Sequence, residues 1–190
     1  MNREFWEQKY QSGDTGWDLG APSPPITNYV DQIEDKNLKI LIPGAGNAYE
    51  AAYLLKNGFT QVTVVDIAPS PINNLAKQYA SNYLTLINQD FFELNEQFDL
   101  ILEQTFFCAL QPSFRKKYAT KMNELLLSGG KLAGLLFDFP LSNEGPPFGG
   151  DIQTYKALFS PYFKISTLTP CHNSVKPRQG RELFFIFEKK

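Results

Sequence analysis

The chain has 190 residues and a formal net charge of −2, with no basic stripe or Lys/Arg run, so the electrostatic footprint of a nucleic-acid binder is missing. One histidine, His172, and two cysteines, Cys108 and Cys171, form no metal-ligand pattern, which excludes a structural zinc and leaves the thiols free. No run approaches the ~18 apolar residues of a membrane span, and the N-terminus has no apolar signal core, so a single cytoplasmic domain with a small-molecule partner is expected, acting as a monomer.

In chain order, Arg3 to Gln11 places Phe5, Trp6 and Tyr10 at helical spacing. Ser12 to Pro25 is too dense in Gly and Pro for regular structure, and its Trp17 is a ring to be buried against either core or ligand. A helix from Ile26 to Ile33 follows, and residues 1–37 together are placed to cover the tips of the strands. Ile40 to Ile42 reads as a strand buried on both faces, breaking at Pro43. A turn through Gly44 and Gly46 opens a helix at about Asn47, which Gly58 stops. The remaining strands are expected at Val62–Asp66, Tyr83–Ile87, Phe98–Leu102, Lys131–Phe137, Phe163–Thr169 and Glu182–Glu188. Helices are expected from Pro69 to Ala80, from Pro112 to Leu127 with Gly129-Gly130 as its stop, and from Gln153 to Phe159. Strands alternating with helices, finished by two strands with none between, predict an α/β three-layer sandwich. Its seven-stranded sheet is mostly parallel, with an antiparallel C-terminal edge.

The glycine turn after the first strand, with Asp66 ending the second, has the form of a nucleoside-binding βαβ unit. The dinucleotide fingerprint requires a third glycine where this chain has Tyr49, which argues against an NAD-dependent oxidoreductase, and no Gly-Lys-Ser/Thr follows for a phosphate loop. A ligand with a ribose and no phosphate fits better. S-adenosylmethionine would bring its ribose to Asp66, its adenine near Asp90 and Phe91, and its amino-acid end to the Gly44–Gly46 backbone.

Five blocks then carry a family resemblance: Phe-Trp-Glu-Gln-Lys-Tyr (5–10), Gly-Trp-Asp-Leu-Gly-Ala-Pro-Ser-Pro (16–24), Ile-Pro-Gly-Ala-Gly (42–46), Thr-Phe-Phe-Cys-Ala-Leu (105–110) and Glu-Gly-Pro-Pro-Phe (144–148). Over nearly the whole chain the sequence resembles the thiopurine S-methyltransferase family, in its thiol and halide methyltransferase branch. That resemblance implies a Rossmann-like class I methyltransferase fold and S-adenosylmethionine as methyl donor. By position it implies cofactor contacts at Trp6, Tyr10, Trp17, Gly44, Asp66, Asp90, Phe91 and Gln104. Tyr10 stands where the plant branch usually has Trp, and Gln104 where it has Tyr. With a sulfonium as ligand, the rings of Trp6 and Trp17 gain a role as cation–π partners.

The implied reaction is in-line methyl transfer to a thiol, a thiopurine or a halide. It needs orientation and a dry pocket more than a strong base, and no catalytic residue stands out. The substrate pocket is expected from Phe106, Phe139 and Phe148, with either Phe106 or Phe107 facing inward. Arg178 or Arg181 is expected to attract an anion, or else to pair at the surface with Glu182 or Asp151. Cys108 reads as a small buried thiol rather than a nucleophile. The rival to catalysis is a protein that binds the cofactor without transferring its methyl group.

Overall fold

Residues 2–190 are described by a computed structural model. Ile40–Pro43 (β1) and Val62–Asp66 (β2) are buried at every position, as befits parallel strands covered on both faces. Leu84–Asn88 (β3) is only partly buried because it forms one edge of the sheet. Phe98–Glu103 (β4), Leu126–Phe137 (β5), Phe163–Pro170 (β6) and Glu182–Lys189 (β7) complete seven strands in the order β3-β2-β1-β4-β5-β7-β6. Strands β1 to β5 pair in parallel, and β7 runs antiparallel to both of its neighbours. The expected Rossmann-like sandwich with an antiparallel C-terminal edge is the fold observed.

The two-residue period of β1 sorts its side chains into two cores. Ile40 and Ile42 join Ile26 and Val30 of Pro24–Val30 (α2), Leu54 of Tyr49–Lys56 (α3) and Leu75 of Pro69–Gln78 (α4). Leu41 points the other way, toward Tyr118 and Met122 of Arg115–Leu125 (α5) and Phe159 of Ile152–Phe159 (α6). Arg3–Ser12 (α1) lies outside both cores. Its N-cap is Asn2, whose side chain accepts from the Phe5 amide at 3.1 Å, and Gly13 caps its C-terminus in the left-handed region.

The expected Ile26–Ile33 helix spans Pro24–Val30, and the one expected from Pro112 starts at Arg115 after a 3-10 turn. Two further boundaries differ for backbone reasons. The α3 helix starts at Tyr49 because Ala48, at φ 48°, adopts a left-handed conformation that cannot be helical. The α5 helix ends at Leu125, and β5 begins directly at Leu126, which pairs with Phe98. Gly129-Gly130 therefore lies in an irregular stretch of β5, where pairing jumps from Phe98–Leu126 to Leu100–Lys131, rather than stopping a helix. Strand order reverses between β1 and β4, and in an open α/β sheet a ligand crevice forms outside the strand ends at such a point.

Candidate functional site

At the tip of β1 the chain alternates through positive φ at Gly44 (59°), Gly46 (53°) and Ala48 (48°). This brings the Gly46 amide to 3.2 Å from Asp66 Oδ2, while the Ala68 amide donates to Asp66 Oδ1 at 2.8 Å. Asp66 is buried, and burial pushes its carboxyl up to about 6 against the opposing pull of these amides. Each oxygen keeps a lone pair free for a further donor.

Above this turn stand three rings from the N-terminal segment. Trp17 meets Trp6 edge-on at 5.5 Å between centroids and Tyr10 at 5.7 Å. A Cβ added to Gly46 would lie 2.9 Å from the Tyr10 hydroxyl, so the glycine is what allows this ring to approach the turn. Helix α1 is pinned by Glu7, whose carboxylate accepts from the amide and hydroxyl of Ser70 in the first turn of α4. The Trp17 loop is fastened through Asp18, which accepts from the Asn47 amide group and the Tyr49 hydroxyl, and through the Ser23 amide, which donates to buried Glu50 at 2.9 Å. Tyr49 thus supports the lid as well as occupying the third-glycine position.

At the tip of β4, Glu103 is fully buried. Its Oε1 accepts from the amides of Phe106 (2.8 Å) and Phe107 (2.9 Å), and its Oε2 from the Tyr118 hydroxyl (2.5 Å). Burial pushes this carboxyl up to about 7. Thr105 takes φ 61°, an uncommon conformation for a β-branched residue, and reverses the chain so that Phe106 and Phe107 part company. Phe107 enters the core against Tyr118, Tyr155 and Phe159. Phe106 lies over the β1 turn, where a Cβ on Gly44 would come within 2.2 Å of its ring. The loop after β5 is tied down by buried Arg115, which donates to the Gly149 carbonyl at 2.6 Å and stacks 4.8 Å from the Phe107 ring.

These parts enclose a cavity of about 1000 Å³. Of the predicted cofactor contacts, Trp6, Tyr10, Trp17, Gly44, Asp66, Asp90 and Phe91 line it; of the predicted substrate contacts, Phe106, Phe139 and Arg178 do, together with Arg181. Two predicted residues do not reach it. Gln104 lies behind the wall, in a separate space of about 10 Å³ with Leu135 and Glu182, because the backbone reversal at Thr105 comes one residue later. Phe148 is buried outside the lining, its amide donating to the Cys108 carbonyl at 2.8 Å. Arg178 is paired with Glu182 as the alternative reading had it, but the pair is buried rather than solvated. Cys108 lines the cavity as a thiol that burial pushes up, consistent with an inert group. Glu103, Glu50 and Arg115 were missed by sequence reasoning. For Glu103 a signal existed, since a carboxylate that ends an apolar strand needs donors.

The family model for thiopurine S-methyltransferase matches residues 1–189. A probable thiol methyltransferase 2 of Arabidopsis thaliana is 32% identical over 184 residues, covering 93% of this chain and 81% of the relative. A thiocyanate methyltransferase 1 of Brassica oleracea is 31% identical with the same coverage. Among solved structures, a Burkholderia thailandensis 1,6-didemethyltoxoflavin-N1-methyltransferase with bound S-adenosylhomocysteine shares the fold at a TM-score of 0.80 and 20% identity, covering 99% of this chain and 87% of that one. The chain belongs to the thiopurine S-methyltransferase family. It is a methyltransferase that uses S-adenosylmethionine, as the resemblance implied.

Proposed function

With that membership as premise, we propose that the cavity holds S-adenosylmethionine at its β1–β2 end and a small organic thiol at its β4–β5 end, and that this chain transfers the methyl group to sulfur. One observation carries the reading: the buried Asp66 carboxylate, the glycine turn and the Trp6–Tyr10–Trp17 rings converge on one cavity large enough for two molecules. The residues fit the cofactor. Asp66 has lone pairs to accept ribose hydroxyls, the turn presents backbone without side chains, and Asp90 and Phe91 border the same space for the adenine. Gln104 and Phe148 are left out of this assignment.

The bound sulfonium supplies an already activated methyl group. The protein's part is to bind and orient. The three rings offer π-faces to a cation, a contact worth about 0.5–2 kcal/mol according to desolvation. Together with Phe106 they exclude water from the reacting sulfurs. No histidine lines the cavity among the described residues, and Lys9 is spent on Asp14, so the acceptor is expected to arrive as its thiolate. Arg181 favours that form by its charge: it is exposed, borders the cavity and stacks 4.6 Å from the Phe139 ring. The aromatic wall of Phe106, Phe137 and Phe139 favours a flat organic acceptor over a bare halide. Two free buried cysteines support a reducing, cytoplasmic location.

The test is incubation with methyl-labelled S-adenosylmethionine and a panel of aromatic thiols, thiopurines, aliphatic thiols, iodide and thiocyanate. Transfer fastest to an aromatic thiol is expected. Cofactor binding without transfer to any acceptor would overturn the catalytic reading, and transfer to halide alone would overturn the acceptor assignment.

A further inference from the structure

The loop that carries Trp17 is fastened on two sides of the cavity. Toward β1 and α3 it is held by Asp18 on Asn47 and Tyr49, and by the Ser23 amide on Glu50. Across the cavity, Arg178 in the connection between β6 and β7 donates from Nη2 to the Trp17 carbonyl at 2.8 Å, while its Nη1 lies 3.4 Å from Glu182 Oε1. The two partners are 161 positions apart in sequence. Arg178 is 8% exposed and Glu182 3%. A buried cation persists only where its charge is paired and its donors are met. A guanidinium suits this place because its planar fork holds donors toward a carboxylate and a carbonyl in two fixed directions, whereas the donors of an ammonium radiate from one atom on a flexible stem. The acceptor is a backbone carbonyl, so the bond fixes the path of the loop whatever side chain stands at position 17.

We propose that Arg178, held by Glu182, is a positioning residue that draws the N-terminal loop across the cavity and sets Trp17 in its ring cage. It follows that the β6–β7 connection controls the geometry of the methyl-donor end, and that the buried cation bordering the cavity serves the lid rather than an anionic acceptor. The part of this that concerns cofactor affinity rests on the reading of the cavity given above. An ion pair that merely stabilised the β6–β7 connection would lower thermal stability on removal without altering the surroundings of Trp17.

The chain has two tryptophans, so a Trp6→Phe parent leaves Trp17 as the sole indole. In that parent, Arg178→Met with Glu182→Gln removes the tether without stranding a buried charge. Acrylamide quenching of the ligand-free protein is expected to rise about twofold as the loop loosens. The affinity for S-adenosylhomocysteine by calorimetry is expected to fall about tenfold, the loss of one charge-assisted hydrogen bond. Far-UV circular dichroism and thermal melting check the fold. Should the double variant fail to fold, Arg178→Lys supplies the same comparison, since it keeps the charge opposite Glu182 and gives up the fork. Quenching equal to that of the parent, with only the melting temperature lowered, overturns the proposal. If the unaltered protein does not bind S-adenosylhomocysteine, the cofactor reading fails, and the quenching comparison still decides the tether.

Discussion

The two ends of the cavity are built by different means. The β1–β2 end is made of near neighbours: Gly44, Gly46 and Asp66 lie within one βαβ unit, and backbone amides hold the Asp66 carboxylate in place. The β4–β5 end is made by reach. Glu103 gathers Phe106, Phe107 and Tyr118, and Arg115 ties a loop more than thirty residues away. At the β1–β2 end only the covering rings are fastened from afar, through Arg178 on the Trp17 carbonyl. Each end is anchored by one buried carboxyl that burial pushes up, Asp66 facing the cavity and Glu103 facing the interior. A site for a constant cofactor can rest on a compact backbone motif. The end proposed to meet the acceptor depends on loops fastened from elsewhere, so it can change without disturbing the motif.

The sharpest way to break this contrast is Glu103→Ala, which strands two amides and a hydroxyl in the core. A loss of about 3 kcal/mol is expected, seen as a lower urea midpoint at unchanged m-value. Glu103→Gln should cost less and flatten the pH dependence of stability. A carboxyl whose folded value lies above its unfolded one stabilises the fold at low pH. For Glu103 that contribution is complete below 4.5 and is lost as pH climbs through about 7, so melting temperature should fall over this window in the parent and fall less in the variant. An identical pH profile in both would show that Glu103 is not the group responsible.

At the other end, Asp66→Asn should weaken S-adenosylhomocysteine binding by roughly 1–3 kcal/mol with the fold retained, measured by calorimetry. In the parent, affinity should decline as pH drops through about 6, where Asp66 takes up its proton, and the variant should lack that decline. Equal affinities would remove Asp66 from the site. Gly44→Ala tests the seam between the two ends, because its Cβ would meet Phe106 at 2.2 Å on a backbone at φ 59°. A stability loss of about 1–2 kcal/mol is expected, together with a rise in KM for the acceptor. The smallest effect belongs to Thr105→Gly. Relief of the left-handed conformation and the added freedom of glycine oppose one another, so stability should change by less than about 1 kcal/mol. A larger loss would mean that the Thr105 hydroxyl, bonded to the Gln104 carbonyl at 2.7 Å, matters more than the backbone strain.

The sequence by itself determined the strands, the parallel core with its antiparallel edge, and the glycine turn paired with Asp66. These are written in runs of apolar residues and in local spacing, where pattern and structure are related by a two-residue or 3.6-residue period. It also places Trp6, Tyr10 and Trp17 together in one N-terminal segment. Only the tertiary structure decided which of Phe106 and Phe107 turns inward, because that rests on a positive φ at Thr105, which no residue preference announces. It alone removed Gln104 and Phe148 from the cavity wall and brought Arg178 to the Trp17 carbonyl. A side chain's direction depends on the backbone path at its own residue, and its partners can lie 161 positions away, a distance over which periodicity carries no information.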